Sequence, residues 1–381
     1  MSLRGRAAIV GVGEFGCGEA PGWSPLEILS KSVEAALDDA GLTLADVDGL
    51  FTASSYHFMP SLSVAEHLGI KPRYSDGSNI GGSSFVAHVM NAAMALEAGL
   101  CDVAVIAYGS NQRTAGGRLV SMSEAQPFER AFKPRHPIAA YALAASRHMH
   151  QYGTTAEQLG EVAVAARKWA QLNPAAFERG PLSVEDVTGA RRICDPLGKF
   201  DCCLVTDGGA AVVMTRPDRA KDLAKRPAYF LGGGIELSHR SIAQMEDLTV
   251  SGAKASGERA YAMAGMGPKD MDVLALYDAF TINTILFLED LGFCPKGEGG
   301  RFVEGGRIAP GGGLAVNTNG GGLSCVHPGM YGLFLVTEAV RQLRHETGER
   351  QVPGAATALV HGNGGTLSSQ VSVVLGTEAA L

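Results

Sequence analysis

Apolar positions along the chain fall into two kinds of run, and each predicts a different element. Ala7-Ala-Ile-Val-Gly-Val-Gly13 is short and almost wholly apolar, which reads as a buried strand. Ser24-Pro25 opens a longer run with helical spacing. Serine is placed to cap, proline to sit in the first turn and Gly41 to close, so a helix is predicted through Ala40. Residues 48–52 lead into a second strand. After the glycine-rich turn Asp76-Gly-Ser-Asn-Ile-Gly-Gly-Ser-Ser84, residues 85–98 are apolar at nearly every turn and predict a buried helix ended by Gly99. Residues 102–108 form another apolar strand. Strand, crossover helix and strand together predict an α/β chain built on a parallel sheet.

The pattern loosens over 112–199, where Pro127, Pro134 and Pro137 interrupt it and two helices are predicted near 139–152 and 156–170. An apolar strand resumes at 207–214. The segment is therefore expected to be an insertion between two strands of one sheet, over the active-site end. Polar, charged residues 217–227 are the expected linker. Beyond it the first half repeats. Ala40-Gly-Leu-Thr-Leu-Ala-Asp-Val-Asp-Gly-Leu aligns without a gap on Ala264-Gly-Met-Gly-Pro-Lys-Asp-Met-Asp-Val-Leu. Asn79-Ile-Gly-Gly before a helix is echoed by Asn319-Gly-Gly-Gly before a helix, and the strand at 102–108 by one at 355–360. Repeats of this length imply a duplicated domain. The expected halves are 1–225, with the inserted loop domain about 112–199, and 226–381. The site should lie between them, where glycine loops at equivalent strand ends converge.

Composition narrows the possibilities. Hydrophobic residues make up 46% of 381, enough for a large core, and 50 glycines point to many tight turns. A formal charge of -7 without a basic run argues against nucleic acid. No apolar stretch is long enough to cross a bilayer, and Met1-Ser-Leu-Arg-Gly-Arg leads straight into a strand, so neither a membrane span nor a signal peptide is expected. Seven irregularly spaced cysteines read as reduced thiols of a cytoplasmic protein. Gly11, Gly13 and Gly16 spell a dinucleotide string, but no helix follows at once, so that reading is set aside.

The densest chemistry lies in Asn319-Gly-Gly-Gly-Leu-Ser-Cys-Val-His-Pro-Gly329. Pro328 suits the first turn of a helix predicted at 331–340. That would place His327 at a loop-to-helix junction, where it can move protons near neutral pH. A capping or surface histidine is the alternative.

This segment, with Tyr277-Asp278-Ala279-Phe280 and His361-Gly362-Asn363-Gly364, resembles the three C-terminal active-site loops of the thiolase superfamily. The similarity is closest to its sterol-carrier-protein type, which includes lipid-transfer proteins. Val326-His327-Pro328 matches that family's Gly-His-Pro loop, and Tyr277-Asp278-Ala279-Phe280 its Asn-Glu-Ala-Phe or His-Asp-Cys-Phe loop. The resemblance implies a thiolase fold, two similar halves in five layers, α/β/α/β/α. It implies a coenzyme A thioester as substrate, with no tightly held cofactor and no metal. The insertion would carry coenzyme A contacts, with Arg135, His136, Arg147, Arg167 and Lys168 as candidate phosphate partners and Gly321, Gly322 and Gly364 as close backbone contacts. It also implies a homodimer formed through a first-half sheet edge, for which 102–108 is the expected strand. A small zinc-ribbon, OB-fold acyl-CoA-binding protein is the expected partner.

The chain departs from the family where the family does covalent chemistry. The nucleophilic cysteine's place falls on or just before Gly82, and no cysteine lies in 78–89. The second cysteine is absent too, since Asp278-Ala279-Phe280 replaces Asp-Cys-Phe. Ser83 and Ser84 are nearby hydroxyls, and Cys325 is the one thiol in a matching loop. What remains is His327, His361, Tyr277, Asn319, Asn363 and Ser83: proton handlers and hydrogen-bond donors. That set suits retro-aldol cleavage of a β-hydroxyacyl-CoA without an acyl-enzyme. It resembles that of lipid-transfer proteins that lack the nucleophile and shorten steroid side chains, so the expected activity is carbon–carbon cleavage of a β-hydroxyacyl- or β-ketoacyl-CoA in lipid or steroid degradation. Two alternatives stay open, a thiolase-type acyltransferase using Ser83 or another nucleophile, and a non-catalytic acyl-CoA-binding subunit. Residues 54–62 are a candidate acyl lining.

Overall fold

The computed structural model describes residues 2–116 and 127–381. The first half runs β1 (Ala8–Gly18), α1 (Pro25–Ala40), β2 (Gly49–Thr52), α2 (Pro60–Leu68), β3 (Tyr74–Asp76), α3 (Ser84–Glu97) and β4 (Val103–Ser110). Helices α4 (Ile138–Tyr152), α5 (Ala156–Gln171) and α6 (Val184–Thr188) and a small hairpin of β5 (Arg192–Cys194) and β6 (Leu197–Gly198) precede β7 (Asp207–Thr215) and α7 (Pro217–Ala220). The second half runs β8 (Ala228–Leu237), α8 (Ala253–Ala264), β9 (Val273–Leu276), α9 (Thr281–Asp290), α10 (Gly299–Val303), β10 (Ala315–Val316), α11 (Gly332–Leu343), β11 (Thr357–Gly364) and β12 (Ser369–Gly376). Residues 117–126 of the expected insertion lie outside the described residues.

Local signals explain the helix ends. Ser24 caps α1 in a reciprocal box with Glu27, Pro25 begins it, and Gly41 closes it with φ 70°. A cap of this kind contributes about 1 kcal/mol.

The sheet order is β10-β9-β11-β12-β8-β1-β7-β4-β2-β3. Read outward from the centre, β8-β12-β11-β9-β10 mirrors β1-β7-β4-β2-β3. The two sets of five strands join through a short ladder, Ala8 opposite Tyr229 and Ile9 opposite Ala228. The buried helices α3 and α11 lie beside each other and touch strands of both sets, while α1 covers β1, β4 and β7 and α8 covers β8 and β12. These are the five layers. Where β11 and β12 are joined by residues 365–368, their counterparts β4 and β7 are joined by 111–206. That segment packs against the second half through α4 and α5, which contact α9. Among the described residues no helix is long and apolar enough to cross a membrane.

Two expectations fail. Strand β4 is interior, paired with β2 on one side and β7 on the other, so it offers no edge. All-apolar composition marks a strand buried on both faces, and says nothing of whether its edge is paired. The free first-half edge is β3. Pro328 does not start a helix either. Helix α11 begins at Gly332, and 327–331 is a bent approach to it, turning at Pro328 and Gly329.

Candidate active site

His327 comes from the loop before α11. Its main chain is held by the first half: its N–H donates to Thr206 Oγ1 at 3.0 Å and its carbonyl accepts from Gln112 Nε2 at 2.8 Å. The ring is left for chemistry. It stacks on Tyr331 at 5.9 Å between centroids and meets the Tyr277 ring edge-on at 5.6 Å. Neither ring nitrogen has a hydrogen-bond partner among the described residues, although the residue is only 6% exposed. Burial lowers its pKa to about 4, offset only by its own backbone, so the imidazole is neutral.

Tyr277 follows β9. Its Oη accepts the Tyr331 N–H at 3.0 Å, just before α11. Its ring lies against Gly82, just ahead of α3: a Cβ added at residue 82 would overlap Oη, Cζ and Cε2 of the phenol. The phenol therefore fills the space that a side chain at the start of α3 would need, and its oxygen sits near two helix N-termini, where negative charge is favoured. Burial raises its pKa well above the ordinary tyrosine value, so it rests protonated.

Asp278 turns to the other side. It accepts the N–H of Gly322 at 2.7 Å and of Leu323 at 3.3 Å, and burial raises its pKa to about 7. A side chain at Gly321 would overlap its carboxylate. Gly321 and Gly322 are thus buried glycines that admit Asp278 and approach the His327 ring, rather than an exposed cradle for coenzyme A. Asn319 accepts the Gly321 N–H at 2.8 Å and pairs with the Tyr331 hydroxyl at 3.2 Å, so it holds the tyrosine that backs His327.

Residues 234–377 match the family model described as "Thiolase C-terminal domain-like". A "17-hydroxy-3-oxo-4-pregnene-20-carboxyl-CoA lyase" of Mycobacterium tuberculosis is 35% identical, over 96% of this chain and 98% of that protein. The chain belongs to the thiolase superfamily. Its similarity runs to the thiolase-like lipid-transfer branch: the solved structure of an "Ltp2-ChsH2(DUF35) aldolase" is 33% identical, has a TM-score of 0.89 and covers 99% of both chains. An "Acetyl-CoA acetyltransferase" of Methanothermobacter thermautotrophicus is 34% identical over 94% of this chain and 96% of that protein.

Against the thiolase pattern, the remaining expected site residues are scattered. Ser83 is buried, with Oγ at 2.6 Å from Ser369 Oγ and 3.1 Å from the Ile80 carbonyl, and none of its polar contacts is a base. His361 does not join His327. Its nitrogens face Ser372 and Gln370, each at 2.9 Å, and Ser372 in turn meets Ser256 on outer helix α8. His361 and Asn363 share the outer face of β11, whereas Gly362 and Gly364 face Ser83 and Ile80 on α3's side. Gly364 is thus a packing glycine of the thiolase core. Asn363 donates to Tyr141 Oη at 2.7 Å, which docks α4 on the second half. Arg135 and Arg147 stand exposed along the insertion, Arg147 bonded to Gln151 at 3.0 Å. Arg167 is 6% exposed and donates to Ser324 and Gly180, so it braces a loop instead of meeting phosphate. Cys325 is buried, and burial pushes its thiol well up, which disfavours the nucleophilic thiolate.

Three contributors were missed in the sequence: Asp278, Tyr331 and Cys203, whose N–H donates to the Ala279 carbonyl at 2.9 Å beside the Tyr277 loop. Asp278 had a signal, being the polar neighbour of Tyr277 in a matching motif.

Proposed function

We propose that the protein is an acyl-CoA carbon–carbon lyase of aldolase type, cleaving a β-hydroxyacyl-CoA in steroid-type side-chain degradation. The observation that carries this is the exchange at the head of α3: glycine where a thiolase needs its nucleophile, with a phenol filling the space beside an unpaired, neutral histidine. The names of the Mycobacterium tuberculosis lyase and the aldolase complex support the same class.

In this reading, neutral His327 takes the β-hydroxyl proton. The Cα–Cβ bond breaks, Cβ becomes a carbonyl carbon, and the electron pair enters the thioester enolate. The Tyr277 hydroxyl protonates Cα, leaving a phenolate opposite the Tyr331 N–H. The imidazolium then returns its proton to the phenolate. No acyl-enzyme forms and no tightly held cofactor enters.

Acyltransfer from Ser83 is the competing chemistry. Intact-protein mass after incubation with acetyl-CoA or acetoacetyl-CoA is expected to show no adduct, and Ser83→Ala is expected to keep cleavage within about twofold. An acetyl mass mapped to Ser83 would establish the acyltransferase instead. Binding of acyl-CoA with no turnover of any β-hydroxyacyl-CoA would favour the non-catalytic subunit.

The reading includes a second protein of the DUF35 kind, supported by the similarity to the Ltp2-ChsH2(DUF35) aldolase; the zinc ribbon and acyl-CoA-binding OB-fold of that partner are what the family resemblance implies. Exposed Arg135 and Arg147 remain candidate contacts for coenzyme A phosphates. Seven free cysteines suit a reducing cytoplasm. The reading also includes a homodimer, now through β3. Phe58 at 94%, Met59 at 54% and Leu62 at 65% exposure lie where α2 begins, and Gly77, just past β3, approaches Ser61 and Pro60. A free edge beside an exposed apolar patch is unstable in isolation. The double variant Phe58→Asp/Leu62→Asp is expected to halve the mass seen by light scattering. A wild-type monomer would refute the dimer.

A further inference from the structure

Tyr108, near the end of β4, is a buried phenol that the proposed mechanism leaves unused. Its hydroxyl donates to the Pro328 carbonyl at 2.6 Å and accepts the Met330 N–H at 3.3 Å. The ring is fixed separately, 5.0 Å from Phe85 of α3. The next N–H along the chain, that of Tyr331, is the one held by Tyr277 Oη. Two successive peptide N–H groups ahead of α11 are thus each taken by a tyrosine oxygen, one from each half.

We infer that Tyr108 is a positioning residue for the reaction: its hydroxyl bolts the His327 loop of the second half to the first-half sheet and so keeps the Tyr331 N–H aimed at Tyr277. A peptide plane is rigid, so fixing the Pro328 carbonyl and the Met330 N–H fixes the two peptides that flank Gly329. Gly329 has φ 97°, a backbone state only glycine enters readily, and without the bolt the loop gains freedom there. Thr206 and Gln112 hold His327 itself, so the stretch from His327 to Met330 is fixed in good part by the other half. The arrangement is reciprocal. The first-half loop ahead of α3 is held by the second half, with Ser369 Oγ donating to the Ile80 carbonyl at 2.6 Å and Gly81 packed on Gly364–Gly365. The duplicated fold thus uses each half to set the loop of the other.

This inference rests on the aldolase reading for its kinetic arm only. Tyr108→Phe keeps the ring and removes both hydrogen bonds. With the full chain and its partner protein, kcat for β-hydroxyacyl-CoA cleavage is expected to fall by about tenfold or more while KM stays within about twofold. Hydrogen exchange of a peptide spanning 326–334 is expected to speed up, with α3 and α8 unchanged. Gln112→Ala, which leaves the His327 carbonyl only the Thr206 N–H at 3.3 Å, should reproduce the kcat loss if Tyr108→Phe folds poorly. Unchanged exchange at 326–334 in Tyr108→Phe overturns the inference whether or not the enzyme is an aldolase, and so does an unchanged kcat in an active enzyme. A wild type that cleaves no β-hydroxyacyl-CoA defeats the aldolase reading, and the exchange experiment still judges the bolt.

Discussion

Tyr277→Phe is expected to lower kcat for β-hydroxyacyl-CoA cleavage by about a thousandfold, with KM nearly unchanged. General acid–base catalysis by one positioned group contributes roughly 10²–10⁴-fold, and Tyr277 is the group with no substitute in the site. Asp278 faces the Gly321 turn, and His361 is pinned on the outer face of β11. The variant keeps the ring that packs on Gly82 and on His327, so the site retains its shape. It leaves the Tyr331 N–H without its acceptor, which costs about 1–3 kcal/mol and should appear as a modest drop in Tm. The two effects separate cleanly: single-turnover cleavage reports the chemistry and thermal unfolding the fold. Cleavage within tenfold of wild type would remove Tyr277 from the reaction and leave His327 to act with another acid.

The loss should also be distinct from that of His327→Ala. A neutral imidazole with both nitrogens unpaired accepts a proton from substrate, and its removal takes away the base while the phenol stays in place. If both single variants are inactive and the double variant is no worse, the two act in one proton circuit.

How far the sequence reached can be judged residue by residue. Helix α1 was legible to both ends because its signals are local: serine, proline and glycine each act within a turn of where they stand. The duplication was legible because an ungapped repeat preserves spacing. Edges were not. Strand β4 looks the same in sequence whether its neighbours are strands or solvent, since pairing lies in the backbone. That His361 lies apart from His327 had a signal in the sequence. In His361-Gly362-Asn363-Gly364 the side chains alternate, and the glycines mark the face pressed on α3, so the histidine had to point outward. Tyr108 was invisible for the opposite reason. Within an apolar strand a tyrosine reads as core, and only the approach of a loop more than two hundred residues later gives its hydroxyl two partners.

Gly82→Ala is expected to cost cleavage about a hundredfold, without replacing any group that moves a proton. The added methyl would overlap the Tyr277 phenol, and the surroundings give it nowhere to go: Gly332, at the start of α11, already packs on the Gly82 carbonyl. Overpacking of this kind costs about 1–3 kcal/mol, and the phenol, as the movable partner, takes up the displacement away from Tyr331 N–H and His327. Gly82→Cys should fail in the same way. It restores the residue type thiolases use but not the space, so no acetyl adduct is expected after incubation with acetyl-CoA. Gly82→Cys/Tyr277→Ala clears the phenol and is the variant in which a thiol at the head of α3 has room to be acylated. Wild-type cleavage by Gly82→Ala would mean that the phenol is not held where catalysis needs it, and an adduct on Gly82→Cys alone would mean that phenol and thiol can share the site. The expected pattern, activity lost in both single variants and acylation only in the double, would show that phenol and thiolate are exclusive occupants of one position, so that the aldolase arose by exchange of the group at the head of α3 and not by addition of a second site.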